Sequence, residues 1–331
     1  TATIDDDDAE PSVAFTAASQ SSADETGTMT ITAQLSSTSG KDVTVPFTIN
    51  GSSTAADPDD YTITASPITI TAGSTTADIT ITIADEALDE ANETVIVDMG
   101  APTNATTGAT TTHTATITDD DGAPNVTFTA ASQSSGTESG TMTITAQLSA
   151  TSGVDVTVPF IINASSTAAD PADYTITASP ITITAGSTTA DITITINGDS
   201  LDEDNETIIV DMGAPTNASQ GATTSHTATI DDDDATPSVT FTAASQASGT
   251  ETGTMTITAQ ISTASGRDVT VPFSINGSST AADPADYTIT ASPLTITAGS
   301  TTADITITIS GDSLDEDNET IIVDMGAPTN A

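Results

Sequence analysis

Apolar and polar residues alternate one by one through long stretches of this chain. Met142, Ile144, Ala146 and Leu148 are separated by Thr or Gln, and other apolar stretches repeat the same alternation. A period of two residues predicts antiparallel strands with one buried face and one solvated face. Clusters of Gly, Pro, Asn and Asp between the stretches predict turns. In the middle of the chain the predicted strands are 125–131, 140–148, 155–163, 174–184 (broken at Ser179-Pro180), 189–196, 207–212 and 225–230.

One long segment occurs three times. The sequence that starts at Pro11 starts again at Pro124 and at Pro237, a constant spacing of 113 residues (124 − 11 and 237 − 124). This period is the size of an independent domain, and seven short strands in each period indicate a β-sandwich. We therefore predict an all-β chain, a tandem array of seven-stranded antiparallel, immunoglobulin-like β-sandwiches. The predicted division is 1–10 (last strand of a preceding repeat), 11–123 (repeat 1), 124–236 (repeat 2) and 237–331 (repeat 3, lacking its last strand).

The charge of the chain narrows the range of partners. It has 47 Asp and Glu against 2 Lys and Arg, for a formal net charge of −45. Nucleic acid is excluded as a partner because phosphate contacts require Lys and Arg, and a basic membrane-binding face is excluded for the same reason. The chain has no Cys, which excludes zinc fingers, disulfide frameworks and cysteine nucleophiles. No apolar run approaches the roughly 20 residues needed to cross a bilayer, so we expect no membrane insertion.

The acidic residues are concentrated rather than spread over the surface. In repeat 2 they collect at Glu138, at Asp173, between 199 and 206, and between 231 and 234. In the predicted sandwich all four places lie at one pole, next to the start of the following repeat. Crowded carboxylates repel one another unless cations lie among them, and many oxygen ligands without His or Cys favour Ca²⁺. The alternative is a solvated acidic surface as in halophiles, which predicts acids on exposed strand positions that Thr and Ser occupy here.

A family resemblance rests on the order of motifs within each repeat. A Val-x-Phe segment is followed by a Glu, by Asp-Tyr, and by an acidic loop that ends in Glu-Thr before apolar residues; Ile-x-Asp-Asp-Asp closes a repeat. This order resembles the Calx-beta domain, the calcium-binding sandwich of sodium–calcium exchangers that also occurs in tandem in large bacterial surface proteins. The resemblance covers essentially the whole chain and implies a seven-stranded sandwich that binds several Ca²⁺ ions at one end.

The same resemblance implies a ligand set for each repeat. In repeat 1 the ligands would be Glu25, Asp60, Glu86, Glu90, Glu93, Asp119, Asp120 and Asp121. In repeat 2 they would be Glu138, Asp173, Asp199, Glu203, Glu206, Asp232, Asp233 and Asp234. Repeat 3 offers Glu251, Asp286, Asp312, Glu316 and Glu319. Repeat 1 has Ala84-Asp85-Glu86 where the others have a Gly before the acid, so Asp85 is a candidate beside Glu86.

The two ends of the chain complement each other in sequence. Thr1, Ala2, Thr3 and Ile4 repeat the residues that begin at Thr227 in the last strand of repeat 2, whereas repeat 3 stops before its own last strand. We therefore expect the next copy, or a continuing chain, to supply this strand to repeat 3 in a head-to-tail array. In that array Asp6, Asp7 and Asp8 would complete the ligand set of repeat 3.

The remaining polar residues do not indicate catalysis. His113 and His226 occupy one repeat position and cannot meet within a domain, so a hydrolytic triad is unsupported. Lys41 and Arg267 share a position at which repeat 2 has Val154, so a role required in every repeat is not expected. We predict a non-enzymatic, calcium-stiffened structural array of an extracellular filament or a cell-surface adhesin. The alternative is a calcium-sensing module that regulates an attached domain.

Overall fold

The computed structural model describes residues 1–3, 5, 7–22, 24–247, 251–313 and 315–331. Within these residues the regular structure is entirely β, which confirms the all-β prediction. The described residues contain no helix that could cross a membrane.

Each repeat contributes its own series of short strands. Repeat 1 forms β1 Ser12–Phe15, β2 Ser19–Ser21, β3 Thr28–Leu35, β4 Val43–Val45, β5 Phe47–Ile49, β6 Tyr61–Ile63, β7 Ile68–Ile70, β8 Thr76–Ile83, β9 Glu93–Met99, β10 Thr106–Thr107 and β11 Thr112–Ile117. Repeat 2 forms β12 Asn125–Phe128, β13 Ser132–Ser134, β14 Thr141–Leu148, β15 Val156–Val158, β16 Phe160–Ile162, β17 Tyr174–Ile176, β18 Ile181–Ile183, β19 Thr189–Ile196, β20 Glu206–Met212, β21 Ser219–Gln220 and β22 Ser225–Ile230. Repeat 3 forms β23 Val239–Phe241, β24 Gly253–Ile261, β25 Val269–Val271, β26 Phe273–Ile275, β27 Tyr287–Ile289, β28 Leu294–Ile296, β29 Thr302–Ile309 and β30 Val323–Met325.

The alternating pattern decides which side chains form the core. In β14 the apolar residues Met142, Ile144, Ala146 and Leu148 are all buried, and the Thr and Gln residues between them are exposed or half-buried. Because successive side chains of a strand point to opposite faces, this period of two separates a core face from a wet face. The aromatic residues of repeat 2, Phe128, Phe160 and Tyr174, are also buried in this core.

Two sheets pack face to face in repeat 2. One sheet has the strand order β17-β19-β14-β12-β21 and the other has β13-β22-β20-β16, with β15 and β18 paired beside them. The predicted strand 125–131 ends at Phe128 as β12, and a separate strand, β13, follows in the other sheet. β12 runs antiparallel to β14, whereas β13 runs parallel to β22. The sandwich is therefore mixed, with parallel pairs at its edges, rather than wholly antiparallel.

Prolines divide other predicted strands. The predicted strand 155–163 is interrupted at Pro159, so that β15 pairs with β18 and β16 pairs with β20. Proline lacks the N–H that a continuous ladder requires, so the chain changes sheet at this point. The predicted break at Ser179-Pro180 separates β17 from β18 in the same way.

The two-residue strand β21 was not predicted, because it is too short for a periodic pattern.

The two histidines lie in the cores of their domains. His113 and His226 are each 2 % exposed. The Nδ1 atom of His113 lies 2.8 Å from the carbonyl oxygen of Ala17, and its ring packs edge-on against Phe15 with the ring centroids 6.3 Å apart. His226 makes the same bond to Ala130, so both histidines connect the final strand of a sandwich to the segment between its first two strands.

Candidate metal centre

The carboxylates gather at one pole because strand ends meet there. In repeat 2 Tyr174 pairs with Ile196 and Glu206 pairs with Ile230, so β17 begins where β19 ends and β20 begins where β22 ends. The acidic residues stand just beyond these ends. Residues 197–205, between β19 and β20, form a loop that we call the E–F loop; its counterparts are 84–92 in repeat 1 and 310–318 in repeat 3.

Three carboxylates meet closely in each of the first two repeats. Oxygen atoms of Glu25, Asp119 and Asp121 all lie within 4.8 Å of one another, and so do those of Glu138, Asp232 and Asp234. Within these groups the Oε2 atom of Glu25 and the Oδ2 atoms of Asp121 and Asp234 are buried without a hydrogen-bond partner. A buried carboxylate oxygen without a donor is costly, and a cation is the partner that would satisfy several such oxygens at once.

The electrostatics of this pole point the same way. Burial, followed by the charge of Asp119, raises the pKa of Glu25 to about 7. Burial, followed by the charge of Asp232, raises the pKa of Glu138 to about 7. In both residues burial and neighbouring negative charges disfavour the ionised carboxylate. A bound divalent cation would favour the ionised form and lower both pKa values.

A second set of carboxylates lies beside the first. Burial, followed by a hydrogen bond to Asp60, raises the pKa of Glu93 to about 7. In repeat 2 burial and the equivalent bond to Asp173 raise the pKa of Glu206 to about 7. A cavity of about 10 Å³, the size of one small ion or water, is lined by Glu138, Asp173, Ile196, Asn197, Asp199, Glu203, Glu206 and Ile230.

The backbone of the E–F loop is fastened to the end of the last strand. The backbone N–H of Glu203 donates to Asp232 Oδ1 at 3.0 Å, and the N–H of Asp232 donates to Asn205 Oδ1 at 3.1 Å. In repeat 1 the N–H of Glu90 donates in the same way to Asp119 Oδ1 at 3.1 Å. The aspartates after the last strand therefore position the E–F loop and also bring oxygens to the cluster.

Comparison with known proteins identifies the fold family. The sequence model of the Calx-beta domain matches residues 6–121, 119–234 and 231–331. The chain belongs to the Calx-beta family. Its three domains are tandem calcium-binding modules of that family, which confirms the resemblance and the sandwich fold.

Several solved structures match the chain at low identity and low TM-score. The structure titled CBD12 from CALX1.2 is 15 % identical, with a TM-score of 0.32, and the match covers 65 % of this chain and 98 % of that one. A Calx CBD2 domain is 16 % identical, with a TM-score of 0.30, over 33 % of this chain and 86 % of that one. A putative carbohydrate binding protein from Bacteroides ovatus is 15 % identical, with a TM-score of 0.30, over 65 % and 71 %. No curated protein matches the chain.

In the first Calx-beta domain the structure distinguishes the two candidate residues of the E–F loop. Burial is the main cause of the raised pKa of Glu25, Glu90 and Glu93, and the charge of Glu86 adds to each of these shifts. Asp85 and Glu86 are both exposed, but only Glu86 is among the causes of these shifts, and it also forms a side-chain hydrogen bond with Glu90. Glu86 is therefore the residue that faces the cluster, although Asp85 occupies the position of a glycine in the other domains.

Two further predicted ligands lie at the margin of these clusters. Asp120 accepts a long hydrogen bond of 3.5 Å from the backbone N–H of Glu25. The charge of Asp233 contributes to the raised pKa of Asp234, after burial and Asp232. Both aspartates thus face the clusters through backbone or charge contacts rather than through the closest oxygen triads.

The third Calx-beta domain presents an open version of the site. The charge of Asp312, followed by burial and by the charges of Asp286 and Glu251, raises the pKa of Glu316, so four of the five predicted ligands still interact. Burial, followed by a hydrogen bond to Asp286, raises the pKa of Glu319. Among the described residues no close triad of carboxylates forms in this domain.

The residues predicted to complete the third site of another copy lie at the start of the chain. Asp7 and Asp8 are exposed, and Thr1, Ala2 and Thr3 are exposed and belong to no strand. The predictions for Asp6 and Ile4 lie outside the described residues.

Sequence reasoning missed the residues of the E–F loop that contact the next domain. Asp202 is 3 % exposed, and its carbonyl oxygen accepts from Ser265 Oγ at 3.0 Å and from the N–H of Gly266 at 3.1 Å. At the first junction the carbonyl oxygen of Asp89 accepts from the N–H of Gly153 at 3.0 Å. The sequence pattern within one repeat carries no signal of these contacts, because each of them joins two repeats.

Proposed function

We propose that this chain is a non-enzymatic, calcium-stiffened structural array of an extracellular filament or a large cell-surface adhesin. The observation that carries this proposal is the double use of the E–F loop. One side of the loop holds candidate calcium ligands, and the other side rests on the following domain. An ion at the pole would therefore order the loop on which the orientation of the next domain depends.

The side chains at the junction make this connection direct. A Cβ atom added to Gly153 would collide with the carboxylate of Glu90, and one added to Gly266 would collide with that of Glu203. Glu90 and Glu203 thus lie on the neighbouring domain while their backbone N–H groups are held by the aspartates of the cluster. Burial is the main cause of the raised pKa of both residues.

The donor set fits Ca²⁺ in its chemistry. The pole offers carboxylate oxygens and no His or Cys, and Ca²⁺ takes six to eight such oxygen ligands. In the first domain Glu25, Asp119 and Asp121 would hold an ion, with Glu86, Glu90, Glu93 and Asp60 nearby. The second domain would use the residues at the same repeat positions. Bound ions would neutralise the crowded charge and leave each junction as a stiff connection.

The open edge of the third domain supports head-to-tail assembly. Within the described residues β30 pairs only with β26, whereas in the second domain β20 also pairs along β22. An unpaired edge with apolar neighbours is a template for strand addition. The sequence Thr-Ala-Thr-Ile at residues 1–4 matches β22 from Thr227 onward and is the strand that we propose a second copy supplies.

Small-angle X-ray scattering of the chain with Ca²⁺ and with EGTA tests the stiffening. We expect a longer maximum dimension and a rod-like profile in Ca²⁺, and a broader distribution of shapes in EGTA. Asp232→Asn should loosen the second junction even in Ca²⁺, and Asp211→Asn, on a strand away from the pole, is the matched control. Identical profiles in the two buffers would contradict the proposal.

Sedimentation velocity of the chain in Ca²⁺ tests the assembly. We expect open-ended oligomers that deletion of residues 1–8 converts to monomers. A monomeric chain in Ca²⁺ contradicts the head-to-tail proposal but leaves the stiffening proposal to the scattering experiment.

A further inference from the structure

The same contact joins the first domain to the second and the second to the third. In each case the E–F loop of one domain lies on a turn of the next domain, which we call the B–C turn. The B–C turn is residues 149–155 in the second domain and 262–268 in the third, and its counterpart in the first domain is 36–42. A parallel bridge joins Asp89 to Ser152 and another joins Asp202 to Ser265. Both serines are 1 % exposed beneath the loop.

The two junctions differ at one pair of positions. At the second junction Arg267 Nη2 lies 2.5 Å from Asp202 Oδ2, and Arg267 Nη1 lies 3.1 Å from Asp204 Oδ1. At the first junction the position of Arg267 is occupied by Val154 and that of Asp204 by Ala91. The cation and the second aspartate are therefore present together or absent together. In a chain of net charge −45, a cation placed against two carboxylates is a selective contact.

The two sides of this contact, a B–C turn with a cation and an E–F loop with two aspartates, also occur in the chain where they are exposed. The B–C turn of the first domain carries Lys41 at the position of Arg267, and its N–H donates to Ser39 Oγ at 3.0 Å, as that of Arg267 does to Ser265 Oγ at 3.1 Å. Lys41 is exposed, and a Cβ atom added to Gly40 would meet nothing within 4 Å. Among the described residues no ion pair involves Lys41.

The complementary half is the E–F loop of the third domain. Asp315 and Asp317 occupy the positions of Asp202 and Asp204, and both are exposed. The loop therefore has the acidic pair of the second junction and not the Ala of the first. The two open halves match each other in charge as Arg267 matches its partners.

We propose that the turn Ser39–Gly40–Lys41 is a docking surface for the E–F loop of the third domain of a second copy, with Lys41 between Asp315 and Asp317. This inference rests on the proposed head-to-tail assembly and adds to it a second contact, independent of the donated strand. Charge matching makes the copy-to-copy junction resemble the second junction rather than the first. The order of the three domains would then be preserved from copy to copy.

Charge reversal in the full-length chain tests the pairing. Sedimentation velocity in Ca²⁺ is measured for the wild type, Lys41→Glu, Asp317→Lys and the double variant Lys41→Glu/Asp317→Lys. Each single variant should need at least about tenfold more protein for half-assembly, equivalent to about 1.4 kcal/mol. The double variant, and an equimolar mixture of the two single variants, should recover most of this loss. Arg267→Glu is the matched control, since it reverses the same position inside one chain, and it should leave the assembly concentration unchanged.

Each failure has its own pattern. A monomeric wild type would overturn the head-to-tail assembly and this docking surface together. If the wild type assembles through residues 1–8 but Lys41→Glu assembles equally well, the docking surface is wrong and the donated strand stands. If both single variants weaken assembly and neither the double variant nor the mixture recovers it, the pairing of Lys41 with Asp317 is wrong.

Discussion

The second and third Calx-beta domains have nearly one sequence and two different interiors. Residues 124–218 and 237–331 differ at 11 positions. Ile208 is fully buried, whereas Ile321, its counterpart, is only half-buried. Phe128 is 1 % exposed, whereas Phe241 is half-buried. The strand Glu206–Met212 shrinks to Val323–Met325 in the third domain.

The last strand of the sandwich accounts for this difference. In the second domain β22 supplies hydrogen-bond partners along β20 and covers the core with the buried residues Ala228 and Ile230. The third domain has no counterpart of β22 among its described residues, so its ladder and its core both lose a neighbour. The aspartates that follow such a strand are lost from the site as well. The last strand therefore completes both the core and the candidate metal centre.

Calcium removal should separate the two domains most strongly. An ion that binds only the folded state adds about 2.7 kcal/mol at a hundredfold excess over Kd, which raises the melting temperature of a small domain by roughly 10–20 °C. We expect calorimetry to show a large upward shift in Ca²⁺ for the first two domains and a smaller one for the third. Glu138→Gln should reduce the shift of the second domain, and Glu251→Gln, at the same repeat position, should have less effect. Equal shifts for all domains would contradict the comparison.

Truncation of one core residue should also discriminate between the domains. Ile208→Ala should lower the free energy of unfolding of the second domain by about 3 kcal/mol, because it leaves a cavity in a closed core. Ile321→Ala should cost the third domain about 1 kcal/mol, because this side chain is already partly solvated. Chemical denaturation followed at each transition measures both losses. Equal losses would mean that the third core is closed in solution.

The pH dependence should be larger in the second domain when metal is absent. The pKa values of Glu138 and Glu206 are about 7 in the folded domain against an ordinary 4.5. Their folded pKa values are raised, so the stabilising contribution is fully present below about pH 4.5 and is lost as the pH rises through 7. In EGTA the second domain should therefore melt lower at pH 8 than at pH 5.5. The double variant Glu138→Gln/Glu206→Gln should flatten this profile.

In Ca²⁺ the pH trend should reverse, because protons compete with the ion for the same oxygens. A metal-free melting temperature that rises between pH 5.5 and 8 would show that the carboxylates are not crowded as described.

The smallest effect is expected at the junction that joins these two domains. Arg267→Val with Asp204→Ala gives the second junction the residues of the first. The Asp204 carboxylate is largely exposed, and at the first junction Asp89 occupies the position of Asp202 with Val154 in place of the arginine, so the loss should be within about 1 kcal/mol. We expect an unchanged melting profile in Ca²⁺ and a slightly wider distribution of interdomain angles in EGTA by scattering. A large loss of stability would mean that the buried Asp202 carboxylate depends on Arg267 as its partner.

Much of the fold could be predicted because it depends on patterns of residues that are close together in sequence. The alternation from Met142 to Leu148 predicts β14 to within one residue at its start, and the Ser179-Pro180 break separates β17 from β18. The crossing of the first strand between sheets could not be predicted, because residues 125–134 carry no local signal of which neighbour each part pairs with. The sequence predicts that Glu25, Asp119 and Asp121 lie at one pole. It does not predict the distances between their carboxylate oxygens, because those distances depend on strand register.

The sequence by itself determined the repeat, the β class, the core faces and the collection of acids at strand ends, since each follows from residue types at fixed spacings. Only the tertiary structure decided that Glu86 rather than Asp85 faces the cluster, and that Asp202 is buried beneath the next domain. It also decided that Arg267 closes one junction while Lys41 remains exposed. The physical reason is that these outcomes depend on contacts between segments distant in sequence, whose distances and burial no local pattern encodes.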